Sequence, residues 1–388
     1  MKQFLIFIIF IHISLYAQTA AEYAKEQEKA FQGYKKTQED GFKSYKKAQN
    51  KAFREYKKSV GALWEDPKMS SKKEWLSYSK DKKTRSNVNF EKETITVETL
   101  ASSPQEAKQK LQVALAKAVT VDTKTVQETD PLEKILAKVK RPKDVVSAKV
   151  KAEPILATVI FKKPPTKKTV QAYIKKNVTT HTIKVKPSKK IPNLKRYSIK
   201  IKMPKHAMIQ RSKIYYKMIK KHSIKQKIPM ALTFAIMHSE SNFNPRARSH
   251  IPAYGLMQLV PKTAGIDTYR YLYKKKRLVS SSYLYDSTNN ITMGTAYLHI
   301  LYYSYLRKIK NPQSRLYCTI AAYNTGAGNI AYAFTRHYNM NKAAPLINRL
   351  TPDEVYAKLL KDLRWDEPKH YLKKVSKRML AYEKLYSM

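Results

Sequence analysis

An almost uninterrupted apolar stretch, residues 228–237, constrains the fold of this 388-residue chain more than any other feature. Pro229 suits the start of a helix, and a helix that is apolar on nearly every side has to be buried. The stretch leads directly to Glu240, and Asn244 followed by Pro245 then stops the helix. We therefore predict a buried helix that carries one carboxyl group at its C-terminal end.

The position of Glu240 favours a raised pKa. Partial desolvation disfavours the charged form of a carboxyl group, and the negative end of a helix dipole acts in the same direction. A carboxylic acid that keeps its proton near neutral pH can protonate a leaving oxygen, which is the chemistry of glycosidic bond cleavage. Taken alone, a solvated glutamate at a helix end remains the simpler interpretation. The next acids along the chain, Asp267 and Asp286, belong to no motif.

A glycine turn follows at residues 254–258. Gly255 permits a tight turn or a close backbone approach, and Gln258 offers an amide donor and acceptor to a sugar or its N-acetyl group. The alternative is a helix start with Met257 in the core.

A second glycine-rich stretch lies at residues 321–328. Tyr323 could hydrogen-bond a carboxyl group or a substrate carbonyl, and Asn324 could recognise an amide. The alternative is a glycine C-cap beside a core tyrosine.

Composition and periodicity divide the chain into four segments. Residues 1–19 have a short positive start and an apolar run that is too short to favour a membrane span, so we predict an export signal. Residues 20–63 carry an 11-residue aromatic repeat, which predicts a nearly straight helical stripe. The repeat recurs at six positions: Phe31, Tyr34, Phe42, Tyr45, Phe53 and Tyr56.

Residues 64–204 predict an α+β domain with an antiparallel sheet. Alternation over residues 88–100 predicts two strands joined by a polar turn, and Pro104 starts an amphipathic helix. Further strands are predicted at 154–161, 181–185 and 197–201, with a helix at 168–176 between them.

Residues 205–388 predict an all-α domain without a convincing strand. Besides the helix that ends at Glu240, the patterns predict helices at 212–222, 289–306, 316–323, 330–338, 351–360 and 369–386. The whole chain is therefore predicted to be a multidomain α+β protein.

The net charge of +48 indicates a polyanionic partner, which could be nucleic acid, an anionic membrane surface or an acidic cell-wall polymer. Cys318 is the only cysteine, which excludes an intrachain disulfide and a cysteine zinc site. An exported, basic, disulfide-free protein suits the bacterial periplasm or cell surface.

The three motifs together resemble those of the lytic murein transglycosylases with a goose-lysozyme-like domain. The family patterns Glu-Ser-x-Phe-Asn-Pro, Gly-Leu-Met-Gln and Ala-Tyr-Asn-x-Gly-x-Gly match residues 240–245, 255–258 and 322–328. The form Pro-Ala-Tyr-Gly-Leu-Met-Gln at 252–258 and residues 64–68 are similar to the membrane-bound C-type members. Those members are lipoproteins, whereas this chain has no cysteine near its start to lipidate.

The resemblance implies a C-terminal lysozyme-like domain in which Glu240 first acts as acid and then as base. The bond between N-acetylmuramic acid and N-acetylglucosamine would be cut without water, giving a 1,6-anhydromuramic end. Ser241 and Tyr323 would orient the carboxyl group, and Tyr371 would approach it from the last helix. The implied substrate-binding residues are Ser241, Gly255, Leu256, Met257, Gln258, Tyr323, Asn324, Glu367 and Tyr371.

The implied partners are peptidoglycan strands and a cell-envelope membrane surface, and neither a metal, a cofactor nor nucleic acid is expected. The predicted location is the periplasm, in association with the outer membrane. The alternatives are a goose-type lysozyme that hydrolyses with water, a non-catalytic wall-binding protein and a basic nucleic-acid binder. The oligomeric state stays open.

Overall fold

A computed structural model describes residues 47–139, 145–249 and 253–387. The predicted export signal and residues 20–46 of the aromatic repeat lie outside the described residues. The repeat's last described part, residues 47–61, is helical and is named α1.

Packing divides the chain into two compact units. Of the described residues, the smaller unit contains 47–56 and 135–139. The larger unit contains residues 57–134, 145–249 and 253–387.

A five-stranded antiparallel sheet organises the first half of the larger unit. Its strands are β1 Glu74–Tyr78, β2 Thr84–Asn89, β3 Thr94–Ala101, β5 Lys184–Pro187 and β6 Lys195–Lys202. They lie in the order β1–β2–β3–β6–β5. The predicted hairpin over 88–100 is confirmed, because Val88 pairs with Ile95 across β2 and β3. Alternating β-branched residues favour such pairing, and both side chains are fully buried.

Helix α2, Pro104–Thr120, covers the sheet. Ser103 begins it by accepting a hydrogen bond from the Glu106 amide at 3.2 Å, and Leu111 and Leu115 are buried with the strands. The shorter helices of this half are α3 Thr123–Thr129, α4 Pro131–Ala137, α5 Ala157–Ile160 and α6 Lys167–Asn177.

The strand predicted at residues 154–161 is wrong, since α5 occupies half of it. Pro154 makes only an isolated bridge with Asp122, and the Phe161 amide already closes a helical turn onto the Ala157 carbonyl at 2.9 Å. A short apolar run does not distinguish a strand from a buried helical turn by periodicity.

Helices dominate the second half, and the multidomain α+β prediction is confirmed. They are α7 Ala207–Ile214, α8 Tyr216–Gln226, α9 Met230–Ser241, α10 Ile266–Tyr273, α11 Ser281–Tyr285, α12 Ser287–His299, α13 Pro312–Thr325, α14 Ala327–Thr335, α15 Met340–Ile347, α16 Pro352–Asp362 and α17 Asp366–Tyr386.

The prediction of no strand after residue 205 is wrong at one place. Strand β7, Leu278–Val279, pairs in parallel with β4, Val145–Val146. Two-residue strands are too short to produce a periodic signal.

Several helix boundaries also differ from prediction, and three of them have a clear structural description. The helix expected at 212–222 is divided at Tyr215, which is buried and stacks on Phe243 with centroids 6.4 Å apart. The helix expected at 289–306 ends in a π-helical segment, Ile300–Tyr305. Pro229 lies at the N-cap of α9 rather than inside its first turn.

Helix α9 is the centre of the helical core, as its apolar sequence predicts. Ten of its twelve residues are buried, and it packs against α8 and α17. Among the described residues, no helix combines the length and hydrophobicity needed to cross a bilayer.

Candidate active site

The C-terminal end of α9 places Glu240 at the junction of several elements. The helix ends at Ser241 because Asn242 and Phe243 both take positive φ, at 52° and 61°. The chain therefore turns two residues earlier than the Asn244–Pro245 pair predicted. Glu240, in the last turn, is 5% exposed.

The turn that contains Gly255 lies against this helix end. Gly255 has φ of +74°, and a Cβ atom there would collide with the Leu284 carbonyl and the Asn290 amide. Asn290 accepts a hydrogen bond from the Met257 amide at 2.8 Å and donates to the carbonyls of Tyr254 and Leu284 at 2.9 and 2.8 Å. Sequence reasoning missed Asn290, because a lone asparagine inside a helix carries no local signal of this role.

Two hydroxyl groups join the turn to the helices. Ser241 Oγ donates to the Leu256 carbonyl at 2.7 Å, and the Tyr323 hydroxyl donates to the Met257 carbonyl at 2.8 Å. Both residues were expected to orient the carboxyl group of Glu240. In the described part of the chain both hydroxyls bond the turn instead, and Ser241 Oγ also lies 3.1 Å from the Met237 carbonyl of its own helix. They therefore position the turn relative to the helix that carries the acid.

The side chains in the turn divide into core and polar ones. Leu256 and Met257 are at most 1% exposed, so both side chains are part of the core. Gln258 donates to the Gly255 carbonyl at 3.0 Å, while its Oε1 atom is buried and has no partner among the described residues. The amide oxygen of Gln258 is thus a buried hydrogen-bond acceptor that the described part of the chain leaves unused. Asn324 is half-buried at the end of α13.

The last helix, α17, brings two more expected residues to the site. Tyr371 is buried, and its hydroxyl has no partner in ordinary hydrogen-bond geometry within the described part of the chain. Burial and the neighbouring Glu240 carboxyl raise the pKa of the Tyr371 phenol well above its ordinary value. Glu367, one turn earlier, has a side chain that is 73% exposed.

A lysine from the segment before β1 completes the arrangement. Lys72 Nζ lies 3.8 Å from Glu240 Oε2 and 3.9 Å from Glu367 Oε1. No motif marked Lys72, since it lies in a basic, polar stretch of the sequence.

The net effect of these surroundings is a raised pKa for Glu240. Burial is the largest influence and raises the pKa of this carboxyl group. The positive charge of Lys72, the nearby Tyr371 hydroxyl and the positive charge of Lys73 lower it, without reversing the direction. A buried carboxylic acid with a raised pKa keeps its proton to a higher pH and can act as a general acid.

Cationic groups also surround the C-terminal end of α9. Lys73 Nζ donates to the carbonyls of His238 and Ser239 at 3.0 and 2.7 Å, which offsets the negative end of the helix dipole. Burial, together with Lys374 and Arg378, lowers the pKa of Lys73 to about 7. Burial and nearby cations likewise lower the pKa of His238 to about 2, so its imidazole ring is neutral.

The acids nearest in sequence have other partners. Asp267 accepts a hydrogen bond from the Tyr305 hydroxyl at 2.9 Å, and Asp286 caps α12 by accepting from the Asn289 amide at 2.9 Å. No group of three His, Cys, Asp or Glu side chains suited to a metal occurs in the described ranges.

Two family models match this chain. The N-terminal domain of membrane-bound lytic murein transglycosylase C matches residues 42–214, and the transglycosylase SLT domain matches residues 217–345.

Similar proteins are also named lytic transglycosylases. Membrane-bound lytic murein transglycosylase C of Serratia proteamaculans is 33% identical over 315 residues, covering 80% of this chain and 83% of that protein. The protein of that name from Photorhabdus laumondii is 34% identical over 313 residues, covering 80% and 82%. The 70-kDa soluble lytic transglycosylase of Escherichia coli, a solved structure, is 24% identical with a TM-score of 0.36, covering 46% of this chain and 26% of that one.

Proposed function

This chain belongs to the family of membrane-bound lytic murein transglycosylase C, and on that premise we propose that it is a peptidoglycan lyase. The bond cut is the β-1,4 bond between N-acetylmuramic acid and N-acetylglucosamine, and the product carries a 1,6-anhydromuramic end. The observation that supports this most is the buried Glu240 carboxyl, whose raised pKa suits a proton donor.

In the first step, Glu240 gives its proton to the glycosidic oxygen. The bond between that oxygen and C1 of the muramic acid breaks, and the N-acetylglucosamine side leaves as an alcohol. Positive charge develops at C1, where the substrate's own N-acetyl group stabilises it. Glu240 becomes a carboxylate beside Lys72, whose Nζ is 3.8 Å away.

In the second step, the Glu240 carboxylate takes the proton of the C6 hydroxyl. The C6 oxygen bonds to C1 and closes the anhydro ring, and Glu240 returns to its acid form. No water is consumed, so one carboxyl group serves where glycoside hydrolases ordinarily use two.

The residues around Glu240 are proposed to hold the sugars. The unpartnered Oε1 of Gln258 can accept from an N-acetyl amide, and Asn324 offers a half-buried amide. The remaining proposed substrate-binding residues are Ser241, Gly255, Leu256, Met257, Tyr323, Glu367 and Tyr371.

The proposed place of action is the cell envelope. Relatives bear the description membrane-bound, and a net charge of +48 favours glycan strands whose peptides carry carboxylates. We propose that residues 1–19 direct export to the periplasm and that the protein associates there with the outer membrane. Residues 64–204 are proposed to form the C-type N-terminal domain, and residues 205–388 are proposed to perform the chemistry.

Mass spectrometry of products from purified sacculi tests the proposal. Muropeptides with anhydro ends, lighter by one water than reducing ones, are expected from the parent, and Glu240→Gln should release almost none. Reducing muramic ends would identify a hydrolase of the lysozyme type. A Glu240→Gln variant as active as the parent would contradict the role of this residue.

A further inference from the structure

The segment that leads into β1 is attached to the helical half on both sides of Lys72. The Arg248 amide donates to the Ser71 carbonyl at 3.3 Å, and Asn244 Nδ2 donates to the Lys72 carbonyl at 3.4 Å. Arg211 adds a bond to the Phe90 carbonyl, at the end of the neighbouring strand, at 2.9 Å. The backbone of residues 71–73 is therefore held against the end of α9.

Lys73 strengthens this attachment with its side chain. Its ammonium group donates to the carbonyls of His238 and Ser239 and to the side-chain oxygen of Asn242. These acceptors are the last turn and the C-cap of α9, the turn that carries Glu240. The position of Lys72 is thus fixed by its sequence neighbour as well as by its own backbone.

Lys72 lies where charge changes in the proposed reaction. Its Nζ is 3.8 Å from Glu240 Oε2, and its side chain is 38% exposed, so water screens the pair only in part. Glu240 is neutral before the first proton transfer and negative after it. An ammonium group at this distance interacts far more strongly with the second state than with the first.

We propose that Lys72 is a positioning residue of the active site, contributed by the sheet-forming half, which stabilises the Glu240 carboxylate formed when the leaving oxygen is protonated. This inference rests on the proposed function. Glu367 Oε1 lies 3.9 Å from the same Nζ and is a second anionic partner of this ammonium group.

Several other charged or titratable groups interact with the same carboxyl group, and the test must separate their effects from that of Lys72. They come from the segment before β1, from α13 and from α17, and they are Lys73, Tyr323, Glu367, Tyr371 and Lys374.

The expected consequence is a change in the pH profile. The free enzyme must hold Glu240 protonated, so kcat/KM falls as pH rises through the pKa of Glu240. Removing the Lys72 charge raises that pKa. The alkaline limb of Lys72→Met should therefore move up by about one pH unit, with a plateau about three- to tenfold lower because the carboxylate formed is less stabilised.

The matched variants are Lys72→Arg, which keeps the charge, and Lys108→Met, which removes an exposed lysine from α2. Both should keep the alkaline limb of the parent. A Lys72→Met profile that coincides with that of Lys108→Met would overturn the inference.

A chemical rescue separates charge from folding. Lys72→Cys can be aminoethylated, which restores an ammonium group on the same folded sample, while Cys318 is fully buried. Alkylation should return the alkaline limb to the parent position, and no movement on alkylation would also overturn the inference. If Glu240→Gln were active, the proposed function itself would be refuted. If Glu240→Gln were inactive but the pH profile of Lys72→Met did not move, only the proposed role of Lys72 would be refuted.

Discussion

Two glutamates of this protein are buried to nearly the same degree, yet their surroundings favour opposite charge states. Glu240, at the end of α9, is 5% exposed, and Glu98, in β3, is 3% exposed. Burial by itself raises the pKa of both. The difference between them lies in the number and geometry of their cationic partners.

Glu98 is held between two guanidinium groups. Arg85 Nε donates to it at 2.6 Å and Arg196 Nε at 2.8 Å, and Arg85 also bonds Asp66 at 2.9 Å. Burial opposes ionisation of Glu98, but the charges and hydrogen bonds of the arginines outweigh it and lower its pKa. The Arg85 guanidinium lies 4.0 Å above the ring of Trp64, which completes a buried ionic cluster.

Glu240 has one ammonium group, at 3.8 Å, in place of two short guanidinium contacts. That interaction is too weak to offset its burial, so its pKa is raised. The comparison teaches that a buried carboxyl group is structural when its charge is fully paired and becomes available for acid chemistry when the pairing is partial.

The largest expected effect comes from Glu240→Gln. Removing the proton donor should lower the rate of anhydromuropeptide release by about a thousandfold, within the range of general acid catalysis. The urea midpoint should not fall, because the amide carries no charge to bury. Release at more than about a tenth of the parent rate would break the contrast between the two glutamates.

Glu98→Gln should have the opposite effect, lowering the stability of the protein while leaving its chemistry intact. It leaves Arg85 buried with its charge poorly compensated, which should cost about 3–5 kcal/mol of unfolding free energy. Urea denaturation followed by tryptophan fluorescence measures this, with Glu240→Gln as the matched control. The folded fraction should still release anhydro products. An unchanged urea midpoint would show that the arginine cluster is not structural.

The pH dependence of stability sharpens the same contrast. The pKa of Glu98 is lowered from its ordinary value of 4.5, so its contribution is present above that pH and is lost as pH falls through the folded-state pKa. The pKa of Glu240 is raised from 4.5, so stability is lost as pH rises from that value through the folded-state pKa.

Unfolding free energies of the parent and both variants, measured from about pH 3 to about pH 8, should show that the contributions of Glu98 and Glu240 to stability change with pH in opposite directions. The deficit of Glu98→Gln should shrink in acid, and Glu240→Gln should gain on the parent as pH rises. Parallel curves for all three proteins would contradict both assignments.

The smallest expected effect is that of Tyr371→Phe. Losing the buried hydroxyl that interacts electrostatically with the Glu240 carboxyl should lower the rate about three- to tenfold, or about 1 kcal/mol, as is usual for one polar interaction. Steady-state rates of product release measure this. Tyr305→Phe removes a partly exposed hydroxyl that bonds Asp267 at 2.9 Å and should leave the rate unchanged. Equal rates for both variants would show that Tyr371 does not act on Glu240.

The sequence alone determined the helix that carries Glu240 and the two glycine-containing motifs that meet it. These signals are local. The apolar stretch before Glu240, the glycine at 255 and the alternation around Val88 can each be recognised within a few residues, from the periods of helices and strands or from turn chemistry. Where the pattern was only two to four residues long, as at Ala157–Ile160 and Leu278–Val279, prediction failed.

Only the tertiary structure decided what surrounds the acid. Lys72 meets Glu240 although 168 residues separate them, and Asn290 holds the Gly255 turn from a different helix. Contacts of this kind leave no period in the chain, because they depend on how separate elements pack and on which charges remain unpaired inside. The packing also gave Glu98 three cationic partners, Arg85, Arg196 and Lys68, and gave Glu240 only Lys72 as an ion-pair partner among the described residues. This difference separates a structural carboxyl group from a reactive one.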